Sequence, residues 1–208
     1  QRVARFRVGG ARGAGGVAAG ADVVIVQDAD LEYDPTDHAP VLAPIVRGAA
    51  DAVIGSRFLG QTHRVLYYWH SVANRFITTL SNMLSSLHLT DIECGTKAFT
   101  ARVLREIDLE ERRFGVEPEL VAKLAAMRLA PADGSSPTPR PIRIYETPVS
   151  YAGRTYAEGM KIGWRDGVEA LRCIVRYNLI RRSPRHAHPP RSASSKGPAD
   201  HDQTTTHT

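Results

Sequence analysis

Three carboxylates in one short run, Asp28, Asp30 and Glu32, are the residues best suited to chemistry. They follow the apolar run 22–27, which is typical of a strand buried on both faces of a parallel sheet. Ligands of open α/β sheets bind at the carboxyl ends of strands, so carboxylates leaving one strand can converge on a cation. Mg²⁺ or Mn²⁺ takes such oxygen ligands and bridges to substrate phosphates. The competing interpretation is an acidic turn whose aspartates accept nearby backbone hydrogen bonds.

Arginines and a further carboxylate follow the next predicted strand, 51–55. Arg57 comes directly after this strand, and Arg75 lies in a segment with helical spacing. Guanidinium groups offer the paired donors that suit a diphosphate, although either arginine also fits a solvated surface position. Asp91 is predicted either to cap a helix or turn, or to position an acceptor.

A second pair of cations stands near the start of a long amphipathic segment. Arg154 precedes the predicted helix 159–179, and Lys161 lies in its first turn. Backbone amides at a helix N-terminus favour anions, and these cations add positive charge. Trp164 and Val168 share one face of the helix, which indicates either a helix packed on the domain or one lying in a membrane interface.

The elements that must position these residues alternate between strands and helices, as in an α/β sheet. The predicted strands are 3–8, 22–27, 51–55 and 142–148, and the predicted helices are 38–47, 68–87, 101–107, 117–127 and 159–179. Residues 22–55 are therefore interpreted as one βαβ unit. Pro, Gly and Ser enrichment predicts a solvated loop at 132–141, and low complexity predicts disorder at 183–208.

Composition excludes several classes of protein. Of the 208 residues, 42% are hydrophobic and 24% charged, which excludes a wholly disordered chain. Two cysteines exclude a disulfide framework and a four-cysteine zinc site. The net charge is +5, but five Lys/Arg and two Asp within residues 181–208 supply +3 of it, so nucleic acid is not expected as a partner. No apolar run approaches the roughly 20 residues of a membrane-spanning helix.

Six motifs in register resemble those of the family 2 glycosyltransferases, especially the dolichol-phosphate mannose synthase and polyprenyl-phosphate glucosyltransferase branch. The motifs are Gln27–Pro35, Gly55–Phe58, Asn74-Arg75, Thr90-Asp91, Phe114–Glu119 and Gly153–Lys161. The resemblance covers residues 8–180 and implies a partial GT-A fold, Rossmann-like and of the α/β class, with a C-terminal amphipathic interface helix. It divides the chain into a glycosyltransferase domain, 1–180, and a disordered basic tail, 181–208.

The resemblance also implies an activity. The enzyme would move a hexose, glucose or mannose, from UDP-glucose or GDP-mannose to polyprenyl or dolichyl phosphate, with inversion and with the help of Mg²⁺ or Mn²⁺. It would act at the cytoplasmic membrane face as a peripheral protein. Because the attacking lipid phosphate is mostly ionised near neutral pH, we expect Asp91 to position groups more than it removes a proton.

Roles for individual residues follow from the same resemblance, by matching position. Carboxylates would hold the metal and support catalysis, and basic residues would hold the phosphates and the nucleotide. The implied metal ligands are Asp28, Asp30 and Glu32; the catalytic residues are Asp91 and Asp28; the residues for diphosphate or acceptor phosphate are Arg57, Arg75, Arg154 and Lys161; and the nucleotide-binding residues are Arg12 and Asp28.

The start of the chain departs from the family's pattern. The family opens with a strand carrying Pro and Asn/Asp-Glu residues, followed by a unit that grips the base, whereas Gln1 begins this sequence directly. Gly9 also replaces the Asn of the early glycine-rich turn. We therefore expect an N-terminally incomplete fragment with poor or no activity. The alternatives are a soluble family 2 transferase with a saccharide or protein acceptor, and a non-catalytic remnant.

Overall fold

The computed structural model describes residues 3–7, 21–28, 32–60, 67–131, 134–153 and 164–180. Arg12, Asp30, Arg154 and Lys161, to which the sequence analysis assigns binding roles, lie outside the described residues, as does the predicted tail 181–208.

The centre of the fold is a five-stranded mixed sheet with the order β1-β2-β4-β3-β7. Its strands are β1 (Val3–Arg7), β2 (Val23–Gln27), β3 (Ala52–Ser56), β4 (Lys97–Thr100) and β7 (Ile144–Pro148). β1 runs parallel to β2 and β3 runs parallel to β7, while β4 runs antiparallel to both β2 and β3. The observed β2 and β3 agree with the predicted strands to within one residue at each end.

The central strand β4 was not predicted. Its four residues are too few to show a period of two. Ala98 and Phe99 are nevertheless buried, and β4 separates β2 from β3, so the predicted βαβ unit has another strand between its two strands. Since β4 is antiparallel, its first residue, Lys97, pairs with Val26 and Ile54 at the carboxyl ends of their strands.

Helices cover both faces of the sheet. They are α1 (His38–Val46), α2 (Tyr68–Ser85), α3 (Ala101–Glu106), α4 (Val116–Ala126) and α5 (Trp164–Val175), which continues as a π-helical turn over Arg176–Ile180. One core cluster joins Ile54, Phe99 and Leu120 with α5, and the other joins Val53 with α1. α1 therefore lies on one side of the sheet, and α2 to α5 belong to the other.

The segment predicted as a solvated loop, 132–141, is partly ordered into a second, small sheet. β5 (Arg128–Leu129) pairs antiparallel with β6 (Arg140–Pro141). The prediction was wrong for Arg140 and Pro141, the last two residues of the segment. Arg and Pro do not form a strand pattern by themselves, and their partner strand, β5, precedes the segment in the chain.

Candidate active site

Three of the described residues predicted to do chemistry, Asp28, Arg57 and Asp91, lie at strand ends on one edge of the sheet. Asp28 follows β2, Arg57 follows β3, and the loop 90–96 leads into the antiparallel β4. This edge is where ligands of open α/β sheets bind. The insertion of β4 between β2 and β3 places the loop 90–96 beside the ends of both strands, since Asp91 contacts Arg57 after β3 and Gly95 lies against Asp28 after β2.

Asp91 forms a buried ion pair with Arg57. Arg57 Nε donates to Asp91 Oδ2 at 2.6 Å and Arg57 Nη2 donates to Oδ1 at 2.9 Å, which is a bidentate pair. The Arg57 backbone amide donates to Oδ2 at 3.2 Å, and Asn74 Nδ2 and the Glu93 amide donate to Oδ1 at 3.3 and 3.1 Å. The side chain of Asp91 is fully buried. Its acceptor positions are therefore occupied from within the protein.

Electrostatics keep both members of the pair charged. Burial alone would raise the pKa of Asp91, but the charge and hydrogen bonds of Arg57 outweigh it and hold that pKa below its ordinary value. Burial would likewise lower the pKa of Arg57, and Asp91 instead raises it well above the usual range. The Arg57 guanidinium also lies 5.1 Å from the centre of the Tyr151 ring, a cation–π contact. The charged Arg57 guanidinium is thus held by the Asp91 carboxylate and by the Tyr151 ring.

Glu146 on β7 holds the loop that carries Asp91 in place, and nothing in the sequence indicates this role. Its Oε1 accepts from the Thr90 amide at 2.8 Å, from Thr90 Oγ1 at 2.9 Å and from the Asp91 amide at 3.1 Å. Thr90 Oγ1 also lies 2.6 Å from Ser56 Oγ, which joins the loop to the end of β3. Burial raises the pKa of Glu146. Only the parallel pairing of β3 with β7 brings these residues together.

The acidic segment after β2 is tied to the same loop. Gly95 lies so close to Asp28 that a Cβ at this position would overlap the Asp28 carboxylate. The Gly95 amide donates to the hydroxyl of Tyr33 at 2.9 Å. Tyr151 donates to Glu32 Oε2 at 3.0 Å, and its ring packs 5.2 Å from that of Tyr33. Asp28, Glu32, Arg57 and Asp91 therefore belong to one connected site.

The carboxylates of this site are chemically suited to bind a hard divalent cation. Asp28 and Glu32 offer carboxylate oxygens, which Mg²⁺ and Mn²⁺ prefer, and the glycine beside Asp28 leaves its carboxylate uncovered by a side chain at that position. Within the described ranges no three metal-ligating side chains cluster together, but Asp30, between Asp28 and Glu32, falls outside them.

Two further acidic residues, Glu93 and Glu117, lie close to the buried Lys97. The Lys97 ammonium contacts the Cys94 carbonyl oxygen and lies 3.7 Å from Glu117 Oε1. Burial raises the pKa of Glu117, as does the nearby Asp28, against the effect of Lys97. Burial and Glu117 together raise the pKa of Glu93 to about 8. The motif Phe114–Glu119 thus brings Glu117 to the site, a role that the sequence alone did not indicate.

The other acid of that motif, Glu119, has a structural role. It is fully buried, and its carboxylate accepts from the amides of Glu110 and Glu111 at 2.8–3.0 Å and from Lys123 Nζ at 2.6 Å. It therefore holds the loop before α4 in place. Arg75, predicted to bind phosphate, has an exposed side chain on α2, and it is the preceding Asn74 that contacts Asp91.

An exposed apolar surface is formed by α2 and α5, which pack against each other. We call it the α2/α5 face: on α2 it includes Trp69, 74% exposed, and Phe76, 60% exposed, and on α5 it includes Trp164, 77% exposed, and Val168, 54% exposed. The guanidinium of Arg165 lies 5.7 Å from the Trp164 ring. No helix among the described residues has the length and apolar character required to cross a bilayer.

Comparison with known proteins gives consistent matches. The sequence model described as Glycosyl transferase family 2 matches residues 2–108. The Undecaprenyl-phosphate mannosyltransferase of Micrococcus luteus is 30% identical over 194 residues, which cover 87% of this chain and 71% of that protein. The UDP-N-acetylglucosamine--dolichyl-phosphate N-acetylglucosaminyltransferase of Methanococcus voltae is 28% identical over 70% of this chain and 57% of its own length. The Polyprenol monophosphomannose synthase of Mycolicibacterium smegmatis is 33% identical over 45% of this chain and 36% of its own length.

Proposed function

Since the chain belongs to glycosyl transferase family 2 and is therefore a glycosyltransferase, we propose that it transfers a hexose from a nucleotide-sugar to a polyprenyl phosphate. The observation that carries this proposal is that one loop, 90–96, contacts both an acidic strand end and a buried arginine: its Gly95 lies against the Asp28 carboxylate and its Asp91 holds Arg57 fixed. Carboxylates suit a metal-bound diphosphate, and a fixed guanidinium suits its negative charge. The acceptor class is supported by the names of the three relatives, each of which refers to a polyprenol, its phosphate or dolichyl phosphate.

Asp28, Asp30 and Glu32 would hold the divalent cation. When bound, such a cation offsets the negative charge that grows on a leaving diphosphate. Arg57 would stabilise the same charge from the protein side. Because Asp91 and the Tyr151 ring already hold its guanidinium, little reorganisation is needed when the charge develops.

The transfer itself requires no strong base in the protein. An oxygen of the lipid phosphate attacks the anomeric carbon while the bond from that carbon to the diphosphate oxygen breaks, and the nucleoside diphosphate leaves with the bonding electrons. The attacking phosphate is already mostly ionised near neutral pH. Asp91, with its acceptor positions occupied and its pKa lowered, is suited to orient Arg57. We assign Arg154 and Lys161 to the lipid phosphate on sequence grounds.

The decisive experiment is a transfer assay with labelled donors. We expect label from UDP-glucose or GDP-mannose to move to a short-chain polyprenyl phosphate in the presence of Mn²⁺, and we expect EDTA to stop the reaction. A soluble saccharide acceptor is the matched control. Transfer to the saccharide but not to the lipid phosphate would contradict the proposed acceptor, and the absence of both sugar transfer and Mn²⁺-dependent binding of either donor would contradict the proposal as a whole.

We also propose that the α2/α5 face rests on an anionic membrane surface, where the lipid acceptor resides. Trp164 and Arg165 at the start of α5 are a pairing suited to the headgroup region, because indole rings prefer the interface and arginine attracts anionic lipids. The exposed Trp69 and Phe76 extend the apolar surface onto α2. This supports a peripheral location at the cytoplasmic face of the membrane.

The double variant Trp164→Glu/Val168→Glu tests this membrane contact. Each apolar side chain contributes about 1.5–3 kcal/mol when buried, so we expect vesicles containing anionic lipid to bind at least about tenfold more weakly in co-sedimentation. Val46→Glu is the matched control, because Val46 is 51% exposed but belongs to α1 on the other side of the sheet. Equal vesicle binding by the double variant and the wild-type chain would rule out the α2/α5 face as the contact.

A further inference from the structure

One carboxylate oxygen of Glu93 is unpaired within the part of the chain that the structure describes. Its backbone is fixed, since its amide donates to Asp91 Oδ1 at 3.1 Å. Its Oε1, by contrast, is buried and has no hydrogen-bond partner among the described residues. An unsatisfied buried polar atom destabilises a fold, and this one lies near the charges of Asp91 and Arg57, so we interpret it as a position that binds a ligand.

Glu93 lies in the loop between the residue that holds Arg57 and the residue that lies against Asp28. Two residues before it, Asp91 holds Arg57, and two residues after it, Gly95 lies against the Asp28 carboxylate. The donor's diphosphate would occupy Arg57 and the cation held by Asp28, so the group next to Glu93 would be a part of the donor attached to that diphosphate. Two parts of the donor are attached to the diphosphate, the nucleoside and the sugar. We place the sugar here because Asp91, two residues before Glu93, has the catalytic role that the resemblance implies, and the sugar is the part of the donor that reacts.

The charges around Glu93 favour a neutral ligand. Glu117 and Asp91 carry like charges nearby, while the ammonium of Lys97 is already committed to the Cys94 carbonyl and to Glu117. These carboxylates would repel a phosphate. The raised pKa of Glu93, about 8, leaves its carboxyl mostly protonated near neutral pH, so that it can both donate and accept a hydrogen bond. A sugar hydroxyl has the same two capacities.

We propose that Glu93 determines donor specificity by hydrogen-bonding a hydroxyl group of the transferred sugar. This inference rests on the proposed function, because it assumes that the site accepts a nucleotide-sugar. Glu93 would then determine specificity from the same loop in which Asp91 holds Arg57 and Gly95 lies against Asp28.

Monodeoxy donors test the inference, because each lacks one hydroxyl of the parent nucleotide-sugar. We expect the wild-type chain to prefer the parent over one of these analogues by about tenfold in kcat/KM. Glu93→Ala is expected to lower kcat/KM for the parent by about tenfold, mainly through KM, and to change it less than about twofold for that one analogue. Glu93→Gln, which still donates and accepts, is expected to keep most of the preference.

The controls separate recognition from folding. Glu106→Ala, at an exposed position in α3, should leave the donor preference unchanged. Glu93→Gln keeps the side-chain shape, and thermal unfolding of each variant reports on stability. Equal losses for every donor in Glu93→Ala, or an unchanged preference, would overturn the inference while leaving the proposed function standing. If turnover is too slow to measure, the affinity of each variant for the same donors, measured by calorimetry with Mn²⁺, gives the same comparison. The absence of both sugar transfer and Mn²⁺-dependent donor binding in the wild-type chain would instead contradict the proposed function.

Discussion

Asp91→Ala is expected to abolish sugar transfer and to lower the free energy of unfolding by about 3–5 kcal/mol. The substitution leaves the largely buried Arg57 guanidinium without its bidentate partner, and an unpaired buried charge is among the costliest local defects in a protein. It also removes the acceptor for Asn74 and for the Glu93 amide. Urea unfolding measures the stability, and kcat/KM for the donor measures the loss of function.

Asp51→Ala is the matched control for this pair. Asp51 precedes β3 as Arg57 follows it, and it also pairs with arginines, Arg140 and Arg143, but these are partly exposed. An exposed ion pair contributes at most about 1 kcal/mol, so the control should cost far less. If Asp91→Ala were no more destabilising than Asp51→Ala, the central role of the buried pair would be wrong.

The pH dependence of the same pair has a defined sign. The pKa of Asp91 in the folded state lies below its ordinary value of 3.8, so the unfolded state takes up the proton first as pH falls. The stability from the pair is therefore complete above that ordinary value and is lost as pH falls through the lower, folded pKa. The wild-type chain should lose this contribution in acid, whereas Asp91→Ala should lack that part of the pH dependence.

Asp28→Ala is expected to remove metal-dependent donor binding and to lower kcat/KM by about a hundredfold or more. The carboxylate leaves β2 at the edge where ligands of such sheets bind, and no side chain at Gly95 takes its place. Calorimetry with UDP-glucose and GDP-mannose, with and without Mn²⁺, measures the loss independently of turnover. The fold should persist, because the change opens space beside a glycine and introduces no overlap.

Asp30→Ala should have the same effect, since the resemblance assigns it to the same cation. Asp34→Asn is the control within this acidic segment: Asp34 is exposed, and its Oδ1 accepts from the Thr36 amide at 2.8 Å, which asparagine can replace. Unchanged Mn²⁺ affinity and transfer in both Asp28→Ala and Asp30→Ala would show that these carboxylates hold no metal.

Much of the framework was predictable because it depends on local patterns. The apolar runs of β2 and β3 are continuous, so their strand character is visible without any partner. The predicted α/β fold class and membership in family 2 are confirmed, as is the prediction that the chain is a glycosyltransferase. The roles assigned to all the site residues stay predictions, and four of these residues, Arg12, Asp30, Arg154 and Lys161, lie outside the described residues.

The supporting parts of the site were not predictable, because their contacts join residues far apart in the chain. Glu146 reaches Thr90 across 56 residues, and nothing in its own segment marks it. β4 is too short to show a period, yet the loop that leads into it contacts the residues after both neighbouring strands, through Asp91 to Arg57 and through Gly95 to Asp28. The exposed apolar side of α2 was equally hidden, since helical spacing alone does not say which residues a neighbour covers.

By itself, the sequence determined which residue types follow each strand and to which family the chain belongs, because both depend on short contiguous motifs. Only the tertiary structure decided that Asp91 is paired with Arg57 and that Glu119 is structural while Glu117 faces the site. It also decided that Glu93 Oε1 has no hydrogen-bond partner among the described residues. The physical reason is that burial and charge pairing depend on every segment packed around a side chain, and a linear pattern does not record those neighbours.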